Sequence, residues 1–128
     1  MLATYNPMPT LAVADMARAR AFYEGTLGFT VQRESEDGVV YGAGSGSFLV
    51  YSSGYAGTNK ATAMSFSVPT DAFDPEVDAL RAAGVSFQTF EVEGLTWADG
   101  VASWAESRSV WFEDPDGNIL NVETGMEA

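Results

Sequence analysis

The chain has 128 residues, 46 % of them hydrophobic, with 18 acidic against 6 basic side chains and a formal net charge of −12. Its length fits one globular domain, and its charge would repel a nucleic-acid backbone. Cysteine and histidine are both absent, which excludes disulfides, thiolate metal sites and a cysteine nucleophile, and removes the commonest metal ligand and general base. The acidic excess reads either as surface solubility or as attraction for a cationic small molecule. No run of about 18 apolar residues is present, so no membrane span is expected. Residues 1–7 lack the basic region and apolar core of a secretion signal, so a cytosolic location is expected.

Residues 8–14 alternate, with Pro9, Leu11 and Val13 on one face and Met8, Thr10, Ala12 and Ala14 on the other. That is strand periodicity, and the larger face should meet a helix. Asp15 reads as an N-cap. Met16, Ala19, Tyr23 and Leu27 follow at helical spacing with Phe22 beside them, and Gly28 is the expected stop. Residues 29–34 read as a strand, Glu36-Asp37-Gly38 as a hairpin turn, and residues 39–42 and 48–52 as two further strands. Between those, Gly44-Ser45-Gly46-Ser47 lacks the lysine and the strand-to-helix setting of a phosphate loop. Residues 54–59 are small and polar apart from Tyr55 and read as a connector.

After the connector the pattern restarts. Met64, Phe66 and Val68 alternate with Ala63, Ser65 and Ser67. Asp74 is expected to cap a second helix, with Pro75 in its first position, Val77 and Leu80 on its buried stripe, and Gly84 at its end. Residues 85–92 read as a strand. Residues 93–107 read as a long polar connection that nevertheless holds Leu95, Trp97, Val101 and Trp104. Its rings would either cover a core edge or subunit interface, or wall a ligand. Residues 111–123 read as two strands joined by a tight turn. Pro115 suits its first central position and Gly117 supplies any positive φ that follows. Glu113, Asp114 and Asp116 read as turn and solvation groups.

The chain therefore repeats internally. Residues 13–28 match 68–84, and Gly28-Phe29-Thr30-Val31-Gln32 matches Gly84-Val85-Ser86-Phe87-Gln88. Each half reads as strand, helix, then three strands, with repeats at approximately 1–57 and 60–128 of a single domain.

Two stretches carry a sharper signal. The segment from Val13-Ala14-Asp15 through Phe22-Tyr23-Glu24-Gly25-Thr26-Leu27-Gly28-Phe29, together with Trp111-Phe112-Glu113-Asp114-Pro115-Asp116-Gly117-Asn118-Ile119-Leu120-Asn121-Val122-Glu123, resembles the vicinal oxygen chelate superfamily. That group includes glyoxalase I, extradiol dioxygenases, fosfomycin resistance enzymes and bleomycin resistance proteins. The resemblance implies an α+β fold: two βαβββ modules in one chain forming a curved mixed sheet around an open cleft, with helices on the convex side.

Metal-dependent members of the superfamily hold one divalent ion with His, Glu or Gln from four strand positions, each offering a lone pair at about 2.0–2.2 Å. Carried over by the matching motifs, the first position falls on Met8, the second on Val50 or, one step along, Tyr51. The third falls on Ala63 and the fourth on Asn121. A thioether and an amide are poor ligands for such an ion, and an alanine is none. The resemblance thus implies the fold without the metal, and no cofactor is expected. Among carboxylates, Glu123 shares the strand face of Asn121 and is the candidate for a lone general base, with Glu91 a further possibility. Tyr23 and Tyr41 read as core groups.

Two functions follow. One is a metal-free, bleomycin-resistance-like protein that holds a small organic molecule, a cationic one being favoured by charge. Its ligand-binding candidates are Met8, Phe48, Tyr51, Ser65, Trp97, Trp104, Asn121 and Glu123, with small residues such as Thr10, Ala12 and Ser67 leaving room. The other is a metal-independent enzyme of lyase or isomerase type, acting on a small carbonyl, epoxide or natural-product substrate with Glu123 as catalytic base. A dimerisation module without ligand is a third reading. The resemblance implies a homodimer; neither a nucleic-acid nor a membrane partner is expected.

Overall fold

The computed structural model describes residues 1–125, so the last three residues of the second repeat lie outside them. The chain divides into two compact units, residues 1–63 with 114–118, and residues 64–113 with the C-terminal segment from 119.

The first unit opens with a 3-10 turn (Leu2–Thr4) and β1 (Thr10–Val13), followed by α1 (Met16–Arg20) and a π-helical stretch (Ala21–Thr26). Asp15 caps α1 as its sequence demands, accepting the Arg18 backbone N–H at 3.1 Å. The π turn, in which the Leu27 N–H reaches back to the Phe22 carbonyl at 2.9 Å, leaves no trace in the sequence. Phe22, Tyr23 and Leu27 satisfy a helical stripe with or without one widened turn. Then come β2 (Thr30–Ser35), β3 (Gly38–Ala43) and β4 (Gly46–Ser52). The sheet order is β1-β4-β3-β2, with β1 parallel to β4 and the other pairs antiparallel.

Period-two alternation sorts this sheet into a packed face and an open face. Leu11, Val13, Val39, Tyr41, Phe48 and Val50 are buried. Tyr23 brings its ring to 5.8 Å from Tyr41 and 5.7 Å from Phe48, and Phe29 lies 5.0 Å from Phe48, edge-on. Thr10, Ala12, Leu49 and Tyr51 alternate with these and point the other way. Two expectations are corrected here. Phe48 belongs to the aromatic core beneath the helix, not to a ligand face, because it shares strand parity with Val50. For the same reason the open-face position on β4 is Tyr51, which pairs with Ala12, whereas Val50 pairs with Leu11.

The second unit takes up β5 (Thr62–Ser67) at its boundary and continues with α2 (Thr70–Ala82), β6 (Thr96–Ala98), β7 (Val101–Trp104), β8 (Ser107–Glu113) and β9 (Ile119–Thr124). Its sheet order is β5-β9-β8-β7-β6. Phe73 and Val77 of α2 are buried, and the Arg108 guanidinium lies 4.7 Å over the Phe73 ring while pairing with Asp74 at 3.0 Å. Arg108, Val110 and Phe112, with their register partners Thr124, Val122 and Leu120, therefore face α2. Ser109, Trp111, Asn121 and Glu123 face away from it.

Three expectations for this unit are corrected. The helix begins at Thr70 and not at Pro75, which lies inside it. Phe73, Val77 and Leu80 form one i, i+4, i+7 stripe, and burying Phe73 outweighs the single backbone bond that Pro75 removes. Residues 85–92 are not a strand but contribute one bridge, Gln88 to Trp111. Residues 93–107 are not a loop: β6 and β7 form a hairpin across Asp99-Gly100, with φ of 51° and 80°. An Asp-Gly pair with both φ positive is the favoured two-residue hairpin turn, and it brings Trp97 opposite Ala102. No helix among the described residues is long and apolar enough to cross a membrane.

Candidate functional site

The turn between β8 and β9, counted with the first unit, carries the densest polar network. Asp114 is only 4 % exposed. Its Oδ2 accepts the Tyr23 hydroxyl and the Asn118 amide, both at 2.8 Å. Its Oδ1 accepts the backbone N–H groups of Asp116 and Asn118, both at 2.9 Å. Asn118 also donates to the Ala12 carbonyl at 2.9 Å. Asp116 accepts the Ala14 N–H at 3.0 Å and Arg18 at 2.9 Å. Asp114 is thus a buried, fully occupied acceptor and not a solvated turn residue; its lone pairs are spent on structure. Burial, aided by the charge of Asp114, raises the Tyr23 hydroxyl far above its ordinary range. Burial and the hydrogen bond to Glu24 do the same to Tyr41. Both phenols stay neutral through the physiological range, so neither serves as a base.

On the open face of the first sheet, Thr10, Ala12, Tyr51, Tyr55, Asn59 and Asn118 line a pocket of about 220 Å³. Met8 lies ahead of β1 and 38 % exposed. It lines a different hollow, of about 170 Å³, with Arg33, Glu34 and Leu49. Tyr51 and Met8 are therefore not brought to one site.

The open face of the second sheet gathers more of the expected residues. Glu123 is 7 % exposed; its Oε1 accepts the Ser67 hydroxyl of β5, and its Oε2 is buried with no hydrogen-bond partner. Asn121 is buried beside it and donates to the Val110 carbonyl at 3.0 Å. Trp111 pairs with Asn121 in register. Its ring lies 6.0 Å from Trp97 and 5.5 Å from Phe90, and Phe90 lies 6.4 Å from Trp97. Ser65 shares the parity of Ser67 and is exposed. Trp104, opposite Ser107, shares the face towards its far end. Trp111, Phe90 and Gln88 belong to this face but were missing from the sequence-derived set. Trp111 was legible, being one hairpin register away from Asn121. Gln88 and Phe90 were not, because their segment has no strand neighbours in sequence to fix its phase.

The metal positions of the superfamily offer a thioether (Met8), a phenol (Tyr51), a methyl group (Ala63) and an amide already donating to a carbonyl (Asn121). This donor set does not fit a transition-metal centre. Among the described residues, no three His, Cys, Asp or Glu side chains converge as a metal site would require.

Two units, each with a sheet that packs a helix on one face and leaves the other face free of it, define a two-module α+β protein of the vicinal oxygen chelate type. The chain belongs to the Glyoxalase/Bleomycin resistance protein/Dioxygenase superfamily, whose sequence profile matches residues 7–122. Similar solved structures include a glyoxalase family protein from Enterococcus faecalis, 18 % identical with a TM-score of 0.71, covering 96 % of this chain and 99 % of that one. A fosfomycin resistance protein, FosX, from Mesorhizobium loti is 17 % identical with a TM-score of 0.67, covering 95 % and 92 %. A lactoylglutathione lyase from Agrobacterium tumefaciens is 18 % identical with a TM-score of 0.65, covering 95 % and 94 %. Such identities establish the fold alone. No curated protein sequence matches the chain.

Proposed function

We propose that this protein is a metal-free member of its superfamily that binds a small organic molecule on the open face of the second sheet. The observation that carries the reading is the Phe90–Trp97–Trp111 cluster beside a buried carboxylate with a free oxygen. Aromatic rings supply contact area at low entropic cost, and a few convergent polar groups set orientation. The net charge of −12 favours a cationic ligand. The proposal keeps the homodimer and the cytosolic location expected from the sequence. Ser65 and Trp104 are retained as outer contacts of this face; Met8 and Tyr51, which line separate hollows of the first unit, are not part of it. Native mass spectrometry on protein purified without a metal column should show a dimer free of metal, or carrying an organic adduct. A stoichiometric transition metal would overturn the metal-free reading, and a monomer the dimeric one.

A second reading is favoured by Glu123 alone. A buried carboxylate whose Oε2 has no partner is placed to take a proton from a substrate, and the neighbour named a lactoylglutathione lyase keeps lyase chemistry within the reach of this fold. The two readings part on a pair of variants. A binder loses ligand affinity on Trp97→Ala by more than it loses stability, and has no turnover to lose. An enzyme loses turnover on Glu123→Gln while still binding substrate. Unchanged affinity in a titration of Trp97→Ala would remove Trp97 from the site.

A further inference from the structure

We infer that the ligand of this face carries two hydrogen-bond donors, at least one of them a protonated amine, separated by a flat apolar segment. The inference rests on the binding reading above and specifies its ligand class. Two buried side-chain acceptors of the second unit lack a partner, Glu123 Oε2 and Gln88 Oε1. Both belong to the open face. Gln88 bridges Trp111, which pairs with Asn121, and the next same-face pair along is Ser109 with Glu123. Gln88 and Glu123 are therefore two strand spacings apart laterally and one same-face step apart along the strands. With strands about 4.8 Å apart and about 6.7 Å per same-face step, their Cβ atoms are roughly 12 Å apart. The reach of the two side chains then leaves roughly 5–12 Å between the acceptor oxygens. Trp111 lies on the strand between them, and Trp97 and Phe90 extend the apolar wall from its ring.

A buried acceptor without a donor is costly, and two on one face, with aromatic rings between, are matched by a molecule of complementary pattern. The carboxylate selects a cation at one end, which also gains from the faces of the neighbouring rings. The amide oxygen accepts an N–H or O–H at the other end. An anionic ligand is disfavoured twice, by Glu123 and by the net charge.

The test uses tryptophan fluorescence titration of the full-length protein with para-xylylenediamine, benzylamine and terephthalate. The first has two amines across a ring, the second one, and the third two carboxylates. Wild type should bind the diamine at least about tenfold more tightly than benzylamine, as one added charge-assisted hydrogen bond would give, and terephthalate not measurably. Gln88→Met should bring the diamine to the level at which the same variant binds benzylamine. Glu123→Gln, which preserves shape and the Ser67 contact, should weaken both amines by at least about tenfold. Equal affinity for diamine and benzylamine, or tighter binding of terephthalate, would overturn this ligand class while leaving binding by the face intact. Absence of binding by all three probes would overturn the ligand class, and retention of no organic mass in native mass spectrometry would then count separately against the binding reading.

Discussion

Asp114→Ala is expected to destabilise the protein by about 3–5 kcal/mol, the range for removing one member of a buried, hydrogen-bonded charged network. Four donors converge on this carboxylate. Deleting it leaves a buried tyrosine hydroxyl, an amide and two backbone N–H groups to find water in a tight turn, and each unsatisfied buried donor costs about 1–3 kcal/mol before relaxation. Tyr23→Phe removes a single donor and should cost only about 1 kcal/mol, since the carboxylate keeps three others. Urea denaturation of the three proteins measures the difference. Similar midpoints for Asp114→Ala and Tyr23→Phe would show that the network is not what holds the turn.

Phe48→Ala should cost about 3–5 kcal/mol, as large-to-small changes in packed aromatic cores do, and should leave ligand affinity unchanged among the molecules that remain folded. Phe48 is 1 % exposed and packed among the rings of Tyr23, Phe29 and Tyr41 in tilted and edge-on contacts. Tyr51→Ala, three residues along the same strand and on the opposite face, should cost less than about 1.5 kcal/mol, because the half-buried ring lines a pocket and packs no core. Thermal or urea unfolding separates the pair. Comparable losses would mean that the two faces of β4 are not partitioned as described.

Phe48 also shows how far the sequence could be read. The alternation of β1 was legible because Leu11 and Val13 differ in size from Thr10 and Ala12. In β4 both parities are large, Phe48 and Val50 against Leu49 and Tyr51, so size contrast could not assign the faces; only pairing with β1 and β3 does. The same limit governed α2. Asp74-Pro75 is a persuasive local start signal, yet Phe73 one position earlier continues the apolar stripe, and tertiary burial decided for the stripe. The β6–β7 hairpin is encoded in Asp99-Gly100, but its strands, three and four residues long, are too short for an alternation to mark them. By contrast, the cap at Asp15, the stop at Gly28 and the turn around Pro115 and Gly117 are set by local backbone chemistry and appear as expected. Of the site, Asn121 and Glu123 followed from period two along one strand. Their aromatic and amide neighbours come from segments distant in sequence, which no local pattern ties together.

The dependence of the first unit on residues 114–118 has a consequence for biosynthesis. The Ala14 N–H bonds a side chain 102 positions later in the chain, and the Tyr23 hydroxyl one 91 positions later. As the chain leaves the ribosome, β1, α1 and their sheet emerge long before the acceptors that complete them. The nascent first half must hold its aromatic core with an unsatisfied hydroxyl and an untethered first strand until residues 114 and 116 have been made. Contacts this remote slow folding and lengthen exposure of the sheet to wrong partners. A gene truncated anywhere before the β8–β9 turn would therefore yield a first half lacking its own closing pieces, so the first unit is expected to complete its fold only once that turn has been made.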